Sequence, residues 1–248
     1  MVGCRLLAIV ALCSTGCFSK RYFPAQYRPD VAEKIPGRRA ILHPTELVFV
    51  PPVSASDLAE VDRRIRDHIE KHGYVVQNIE PAAKILDSLP PARPTERLAN
   101  YVQELGKQGL CEWLMLPSIV LRQAELRGSD ARWDGVVRPI PAVGAAKTME
   151  YSGYQKAASL EMRVYACGGE QVLSSRGGIE VTFVFDITIS FESPGNSPFE
   201  LQEHGSGGAN ARRDYLRNTE YLREAIELAF HPLIPMPGYP DDPALYDR

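Results

Sequence analysis

The feature that most constrains the fold is a long alternating pattern in the second half of the chain. Apolar residues alternate with polar ones from Leu160 to Ala166, Gly168-Gly169 follows, and a further predicted strand runs from Gln171 to Ser190. A period of two places successive side chains on opposite faces of a sheet, and paired glycines favour a tight turn. This segment therefore predicts an antiparallel β-meander with one apolar face.

The remainder of the chain alternates between predicted strands and helices. Strands are predicted at Glu46–Val50, Tyr74–Val76 and Trp113–Leu121, where Pro117 favours an edge position or a bulge. Helices are predicted from Ser54 or Ser56 to Gly73, from Pro81 to Leu89, from Thr95 to Gly106 or Gly109, and from Arg213 to Phe230. Together these elements predict an α+β fold, a small mixed sheet with an antiparallel meander and helices packed on one side.

The amino terminus is typical of a secretory leader. Arg5 is the only charged residue before Cys17, residues 6–12 are apolar, and small residues precede the cysteine. The apolar run is too short to cross a bilayer as a helix, which takes roughly 20 residues. The sequence STGC that ends at Cys17 resembles the lipobox of bacterial lipoproteins, which implies that Cys17 carries the lipids. An ordinary cleaved secretory signal and an uncleaved cytosolic start are the alternatives.

The leader divides the chain into four predicted parts. Residues 1–16 are the lipoprotein signal peptide, 17–40 the lipidated cysteine and a basic tether, 41–235 a periplasmic α+β domain, and 236–248 a Pro-rich tail. The tether has more Lys and Arg than Asp and Glu, and its prolines disfavour regular structure. It is therefore predicted to be an extended linker.

Composition and motifs limit the function classes. The chain has 44% hydrophobic residues and a net charge of −3, which fits a globular protein and disfavours a general nucleic-acid binder. No GxGxxG, Walker, GxSxG, CxxC or HExxH motif occurs in the sequence, and no cofactor is predicted. His68 and His72 are spaced to share a helix face, but no third metal ligand is apparent, so they are interpreted as cations near a helix carboxyl end.

Two cysteines remain in the predicted domain after the leader and Cys17. Cys111 begins one predicted strand and Cys167 ends another. If those strands pair antiparallel, the two cysteines lie side by side, and an oxidising compartment then favours a disulfide. Two buried thiols are the alternative.

Two segments interrupt the regular pattern and are predicted to be irregular. Arg127–Ala157 carries Trp133, Tyr151 and Tyr154 among Gly and Pro, and Glu192–Asn210 precedes the last helix. Long loops in compact domains are usually functional or disordered, and exposed aromatic side chains favour interfaces. The three aromatic residues are therefore predicted to bind a protein partner.

Four segments resemble one group of envelope proteins. They read LVFVPP, HGYVVQ, ELGKQGLCEWLMLPSIV and SLEMRVYACGGEQVLSSRGG. They are similar to the periplasmic domain shared by curli-secretion channel lipoproteins, lipoprotein activators of penicillin-binding proteins and TolB amino-terminal domains. These segments are structural, so the resemblance implies a binding or assembly module. In the channel relatives, strand extensions form membrane hairpins of an oligomeric pore, and here residues 181–191 alone have the pattern of such a strand.

The sequence thus predicts a non-enzymatic lipoprotein that binds or helps to assemble another envelope component. Phe18 follows the cysteine, and resemblance to well-studied lipoproteins implies the outer membrane, with the domain facing the periplasm. The expected partners are the membrane, through the lipid, an envelope protein, and further copies of the chain. One alternative is a subunit of an oligomeric export channel. Another is a periplasmic hydrolase that uses His68, His72 or the predicted loop carboxylates Asp130, Asp134 and Glu150. Because no partner residues are apparent around these three carboxylates, they are otherwise interpreted as solvated.

Overall fold

The computed structural model describes residues 25–192 and 202–236, which form an α+β fold. The main sheet contains β1 (Gln26–Tyr27), β2 (Arg39–Leu42), β3 (Glu46–Val48), β4 (Val75–Val76), β5 (Trp113–Gly128), β6 (Asp130–Trp133), β7 (Val136–Pro139), β9 (Tyr151–Ala166) and β10 (Gln171–Val181). A second sheet contains β8 (Ala142–Gly144), β11 (Phe183–Glu192) and β12 (Gln202–Ala211). The helices are α1 (Pro29–Ala32), α2 (Ala55–Lys71), α3 (Glu80–Ser88), α4 (Pro94–Lys107) and α5 (Thr219–Phe230).

The predicted hairpin of β9 and β10 is confirmed in the main sheet. The predicted strand Gln171–Ser190 is two strands, because β10 ends at Val181 and β11 lies in the second sheet. β5 and β9 pair antiparallel along their whole lengths, from Trp113 opposite Ala166 to Gly128 opposite Tyr151. β10 returns beside β9 through a turn in which Gly169 has a φ of 110°. Glycine adopts this backbone conformation without a Cβ clash, so the glycine pair sets the turn.

β5 is a central strand, so the edge position expected from Pro117 is wrong. β9 flanks β5 on one side, while β2 and β3 both pair with it in parallel on the other. β2 pairs with residues 113–115 and β3 with residues 118–120, which places Pro117 in the interval between them. Because proline has no N–H to donate to a neighbouring strand, this interval accommodates it.

Helices cover both faces of the sheet, and the expectation that they pack on one side is wrong. On β5, Trp113 and Met115 belong to a core with residues of α2 and α5, whereas Leu114 belongs to a core with residues of α3 and α4. Successive strand residues point to opposite faces, so the two cores lie on opposite sides of the sheet. The first residues of β5, from Trp113 to Leu116, are apolar on both faces of the sheet, so a layer of helices is needed on each side to bury them.

The basic segment predicted as a tether belongs to the domain from Ala25 onward. β1 pairs antiparallel with β10, and Val31 of α1 is buried in the core. Ala40 of β2 is also buried, opposite Trp113 on β5. The linker expectation is wrong here because apolar residues between the prolines pack against the sheet. The signal peptide, Cys17 and residues 237–248 of the Pro-rich tail lie outside the described residues.

The segment 127–157 is ordered into strands, so the loop expectation is wrong. It contains the ends of β5 and β9, the β6–β7 hairpin, β8 and a 3₁₀ turn at Ala145–Thr148. Gly128 and Gly135 have φ values of 63° and 81° and mark two tight turns. Gly135 separates two strands of only four residues each, β6 and β7, whose alternation is too short to be recognised in the sequence.

The β6–β7 hairpin folds over the second half of β5 and covers a separate apolar core. Trp133 and Val136 pack there with Ala124 and Leu126 of β5. A Cβ atom at Gly178 of β10 would lie 2.3 Å from Cγ2 of Val136, so the hairpin approaches β10 closely only because Gly178 has no side chain. The packing of the hairpin against β10 therefore depends on this glycine.

The second irregular segment is also largely strand where it is described. β11 pairs antiparallel with β12, from Phe183 opposite Ala211 to Glu192 opposite Gln202. α5 begins at Thr219 rather than near Arg213, because the side chain of Asn218 accepts hydrogen bonds from the first-turn amides and sets the helix start. Residues 205–208 are three glycines and one serine. Because glycine is uncommon in strands, β12 was not predicted from the sequence.

Candidate functional site

Trp133, the first aromatic residue predicted to contact a partner, is buried. Its side chain is 7% exposed, and its Nε1–H donates a hydrogen bond to the carbonyl oxygen of Ala158 at 3.2 Å. The exposure expected of this residue is wrong, because the β6–β7 hairpin folds inward and takes the indole with it. Trp133 anchors the hairpin to β9.

Tyr151 links the two sheets. Its ring stacks on Phe185 of β11 with the centroids 4.4 Å apart, and its hydroxyl donates to the carbonyl oxygen of Ala146 at 2.7 Å. The ring and the hydroxyl of Tyr151 therefore both make contacts within the protein. The side chain is half-buried, so it is less exposed than the sequence predicted.

Tyr154, the third predicted residue, is 69% exposed. It lies on β9 directly opposite Glu125 of β5, which in turn lies opposite Arg132 of β6. Arg132 is opposite Val137 of β7, which is 44% exposed. Tyr154, Glu125, Arg132 and Val137 thus form a row of exposed side chains across four strands, and this surface is termed the outer face.

The outer face is the uncovered continuation of a buried surface. On the same side of β5, Met115 and Ile119 lie in the core beneath α2 and α5, whereas Gln123 and Glu125 are exposed. The helices cover only the first part of β5, and the later part of the strands is left open. The open surface crosses four strands, and three strand spacings measure roughly 15 Å. The sequence showed Tyr154 as an aromatic residue, but only strand register showed which face it occupies.

Phe49 is a second exposed aromatic residue, and the sequence placed it inside a strand. It is 91% exposed and has a φ of 59°, in the left-handed region. It directly follows β3, and the next turn is held by Tyr215, whose buried hydroxyl donates to the carbonyl oxygen of Pro51 at 2.7 Å. A non-glycine residue in this conformation carries backbone strain, which is often found where a side chain must point outward for binding.

Cys111 and Cys167 lie at disulfide-bonding distance, with their Cα atoms 6.1 Å apart. The antiparallel pairing of β5 and β9 brings them together, as the sequence predicted. They line an open groove of about 730 Å³ together with Lys34, Lys107 and Glu112.

His68 and His72 lie together on α2 near its carboxyl end. Their ring centroids are 4.7 Å apart, and Nδ1 of His72 donates to the carbonyl oxygen of His68 at 2.8 Å. Burial, followed by the charges of His72 and Lys71, lowers the pKa of His68 to about 4. Within residues 25–192 and 202–236, no group of three or more His, Cys, Asp or Glu side chains is placed to hold a metal ion.

The carboxylates assigned to a solvated loop have different environments. Asp134 accepts a hydrogen bond from the Ser159 hydroxyl at 2.7 Å, and Arg122 and Arg176 each place Nε 3.5 Å from one of its oxygens. The interpretation of Asp134 as solvated is wrong, because it holds the β6–β7 turn against β9 and β10. Glu150 is exposed.

Comparison with known proteins adds no assignment. Neither a protein-family model nor a curated protein sequence matches the chain. None of the helices in the described part of the chain has the length and apolar character needed to cross a membrane.

Proposed function

We propose that this protein is a lipid-anchored, non-enzymatic lipoprotein of the outer membrane whose periplasmic domain binds or helps to assemble another envelope component. The observation that carries the proposal is the outer face, where Tyr154 stands exposed on a four-stranded surface instead of packing in the core. The resemblance of four segments of the chain to envelope assembly domains supports the same interpretation.

The composition of the outer face fits a protein partner. Tyrosine is enriched at protein interfaces because its ring buries apolar area while its hydroxyl keeps a polar contact. Val137 adds apolar area, and Glu125 and Arg132 lie between them with opposite charges. The row therefore has an apolar side chain at each end and two opposite charges between them, and protein interfaces combine apolar and polar contacts in this way.

Photo-crosslinking in intact cells tests the outer face. With a photo-reactive amino acid at Val137, we expect a specific covalent adduct, and Tyr154→Ala should reduce its yield about tenfold because aromatic anchors dominate interface energies. Ser152→Ala, at an exposed position of the same strand, is the matched control and should leave the yield unchanged. An equal yield in both variants, or an equal adduct from a probe at exposed Glu96 on α4, would contradict the proposal.

Metabolic labelling tests the membrane anchor. Cells given an alkyne analogue of palmitate should label the wild-type protein, and Cys17→Ser should abolish the label and move the protein out of the membrane fraction. Cys13→Ser, in the predicted leader, should keep the label. A labelled Cys17→Ser protein would place the lipid elsewhere, and an unlabelled wild type would favour an ordinary secretory signal.

One observation favours the alternative of an export-channel subunit. β8 pairs with β11 only at residues 185–187, and beyond them the described part of β11 pairs with β12 alone. Strands of ten residues have the length that a membrane strand requires. Light scattering of the detergent-extracted lipidated protein decides between the two: a closed ring of subunits favours the channel, and a monomer or dimer favours the tethered module.

A further inference from the structure

Three arginines occupy the sheet face opposite the outer face. Arg122, Arg163 and Arg176 lie on β5, β9 and β10, between the part of the sheet covered by α4 and the part covered by the β6–β7 turn. Glu161 is opposite Arg176, so Arg163 and Arg176 are diagonal neighbours on adjacent strands. At this separation long side chains reach a common ligand. We call this surface the arginine face.

Hydrogen-bonding capacity on the arginine face is incompletely used. The Nε atoms of Arg163 and Arg176 and the hydroxyl of Ser118 are buried and have no hydrogen-bond partner among the described residues. Ser118 is 1% exposed and lies opposite Glu161 on the neighbouring strand. Buried polar groups are paired in nearly all native structures, and a cluster of unpaired donors on one surface points to a missing acceptor.

The carboxylates nearby do not supply that acceptor. Nε of Arg163 is 3.4 Å from Glu161, and Nε of Arg176 is 3.5 Å from Asp134, contacts that lack hydrogen-bond geometry. Asp134 also accepts a hydrogen bond from the Ser159 hydroxyl and forms an ion pair with Arg122.

A cavity of about 460 Å³ with both apolar and charged lining residues adjoins Arg163. Leu86, Leu98, Leu116 and Pro117 line it, and at its inner wall Nε2 of His43 is 2.8 Å from the hydroxyl of Tyr101 in a hydrogen bond. This volume falls within the range of small-molecule sites, which are mainly apolar with a few polar groups that fix orientation.

We propose that the arginine face and this cavity form one binding site for a carboxylate that carries a short apolar body. The carboxylate accepts hydrogen bonds from Arg163 and Arg176, and the apolar body enters the cavity beside Leu116. A guanidinium group matches a carboxylate in geometry and charge. A phosphate dianion fits less well, because it has no apolar body to enter the cavity. Glu46, Asp87, Glu161 and Asp134 also balance the charges of the three arginines and of Arg97, which lines the cavity as well. This site lies on the opposite side of the sheet from Tyr154 and does not depend on the lipid anchor.

The probe for this site is butyrate, titrated into the full-length protein while nuclear magnetic resonance follows the arginine Nε–H signals and the backbone amide signals of Leu116 and Ser118, which the arginine variants retain. We expect saturable shifts at Arg163 and Arg176. The double variant Arg163→Gln, Arg176→Gln should raise the dissociation constant about tenfold or more, since charge-assisted hydrogen bonds are lost. Arg66→Gln, an exposed position on α2 with an ion pair to Glu70 at 3.8 Å, is the control and should bind as the wild type does.

Three matched compounds separate the features of the ligand. Butanol has the apolar body without charge, butylammonium reverses the charge, and inorganic phosphate has the charge without the body. Carboxylate recognition predicts saturable shifts with butyrate alone. Absence of a shift with butyrate, equal shifts with butanol or phosphate, or unchanged binding by the double variant would overturn the proposal.

Discussion

Gly106→Ala is expected to lower the free energy of unfolding by about 3 kcal/mol, at the upper end of the range for overpacked sites. A Cβ atom at Gly106 would lie 1.7 Å from the carbonyl oxygen and 2.8 Å from the carbonyl carbon of Cys167. Both contacts are with backbone, so no side-chain rotation relieves them and α4 must move away from the β9–β10 turn.

The sign of this prediction opposes intrinsic helix propensity. Position 106 lies inside α4, where alanine is favoured over glycine by about 1 kcal/mol in the absence of tertiary contacts. Urea unfolding followed by fluorescence measures the change, because Trp113 and Trp133 are both buried. Gly168→Ala is the matched control, since a Cβ atom at that position would meet no other side chain or backbone atom within 4 Å. A Gly106→Ala protein as stable as the wild type would show that α4 does not pack directly on Cys167.

Arg138→Ala is expected to destabilise the protein by about 3 kcal/mol, because it removes one partner of a buried ion pair. Arg138 is 5% exposed and donates hydrogen bonds to Glu224 at 2.7 Å and to the carbonyl oxygen of Ile179 at 3.1 Å. Its guanidinium carbon also lies 3.9 Å from the ring centroid of Tyr221. One side chain therefore joins β7, β10 and α5.

Arg223→Ala provides the comparison for Arg138. Arg223 pairs with Glu227 at 2.8 Å on the same helix, but its side chain is 57% exposed, so its loss should cost roughly 0.5 kcal/mol or less. Urea midpoints of the two variants measure the difference. Equal midpoints would mean that the β6–β7 hairpin is held mainly by the apolar contacts of Trp133 and Val136.

Local chemistry made several elements predictable from the sequence. Ser54 caps α2 by accepting a hydrogen bond from the amide of Asp57, and the spacing of Val61 and Ile65 marked the buried side of that helix. The glycine pair after β9 marked the meander turn. The pairing of Cys111 with Cys167 followed from the expected antiparallel strands. In each case the signal lies within a few residues, where period, cap and turn preferences operate.

Long-range packing decided the candidate sites. Trp133, Tyr151 and Tyr154 are equivalent in the sequence, yet the hairpin fold buries the first, the second sheet covers the second, and the end of the helical layer exposes the third. Exposure depends on which distant element covers a strand face, and a residue's neighbours in the chain do not encode it.

The sequence by itself determined the α+β class, the meander and most helices, because these follow from local periodicity and turn chemistry. Only the tertiary structure decided that helices cover both sheet faces, that residues from Ala25 onward join the domain, and that Arg163 and Arg176 are neighbours with unpaired donors. These properties depend on strand register, which joins residues far apart in the chain and shifts every side chain to the opposite face with a slip of one residue.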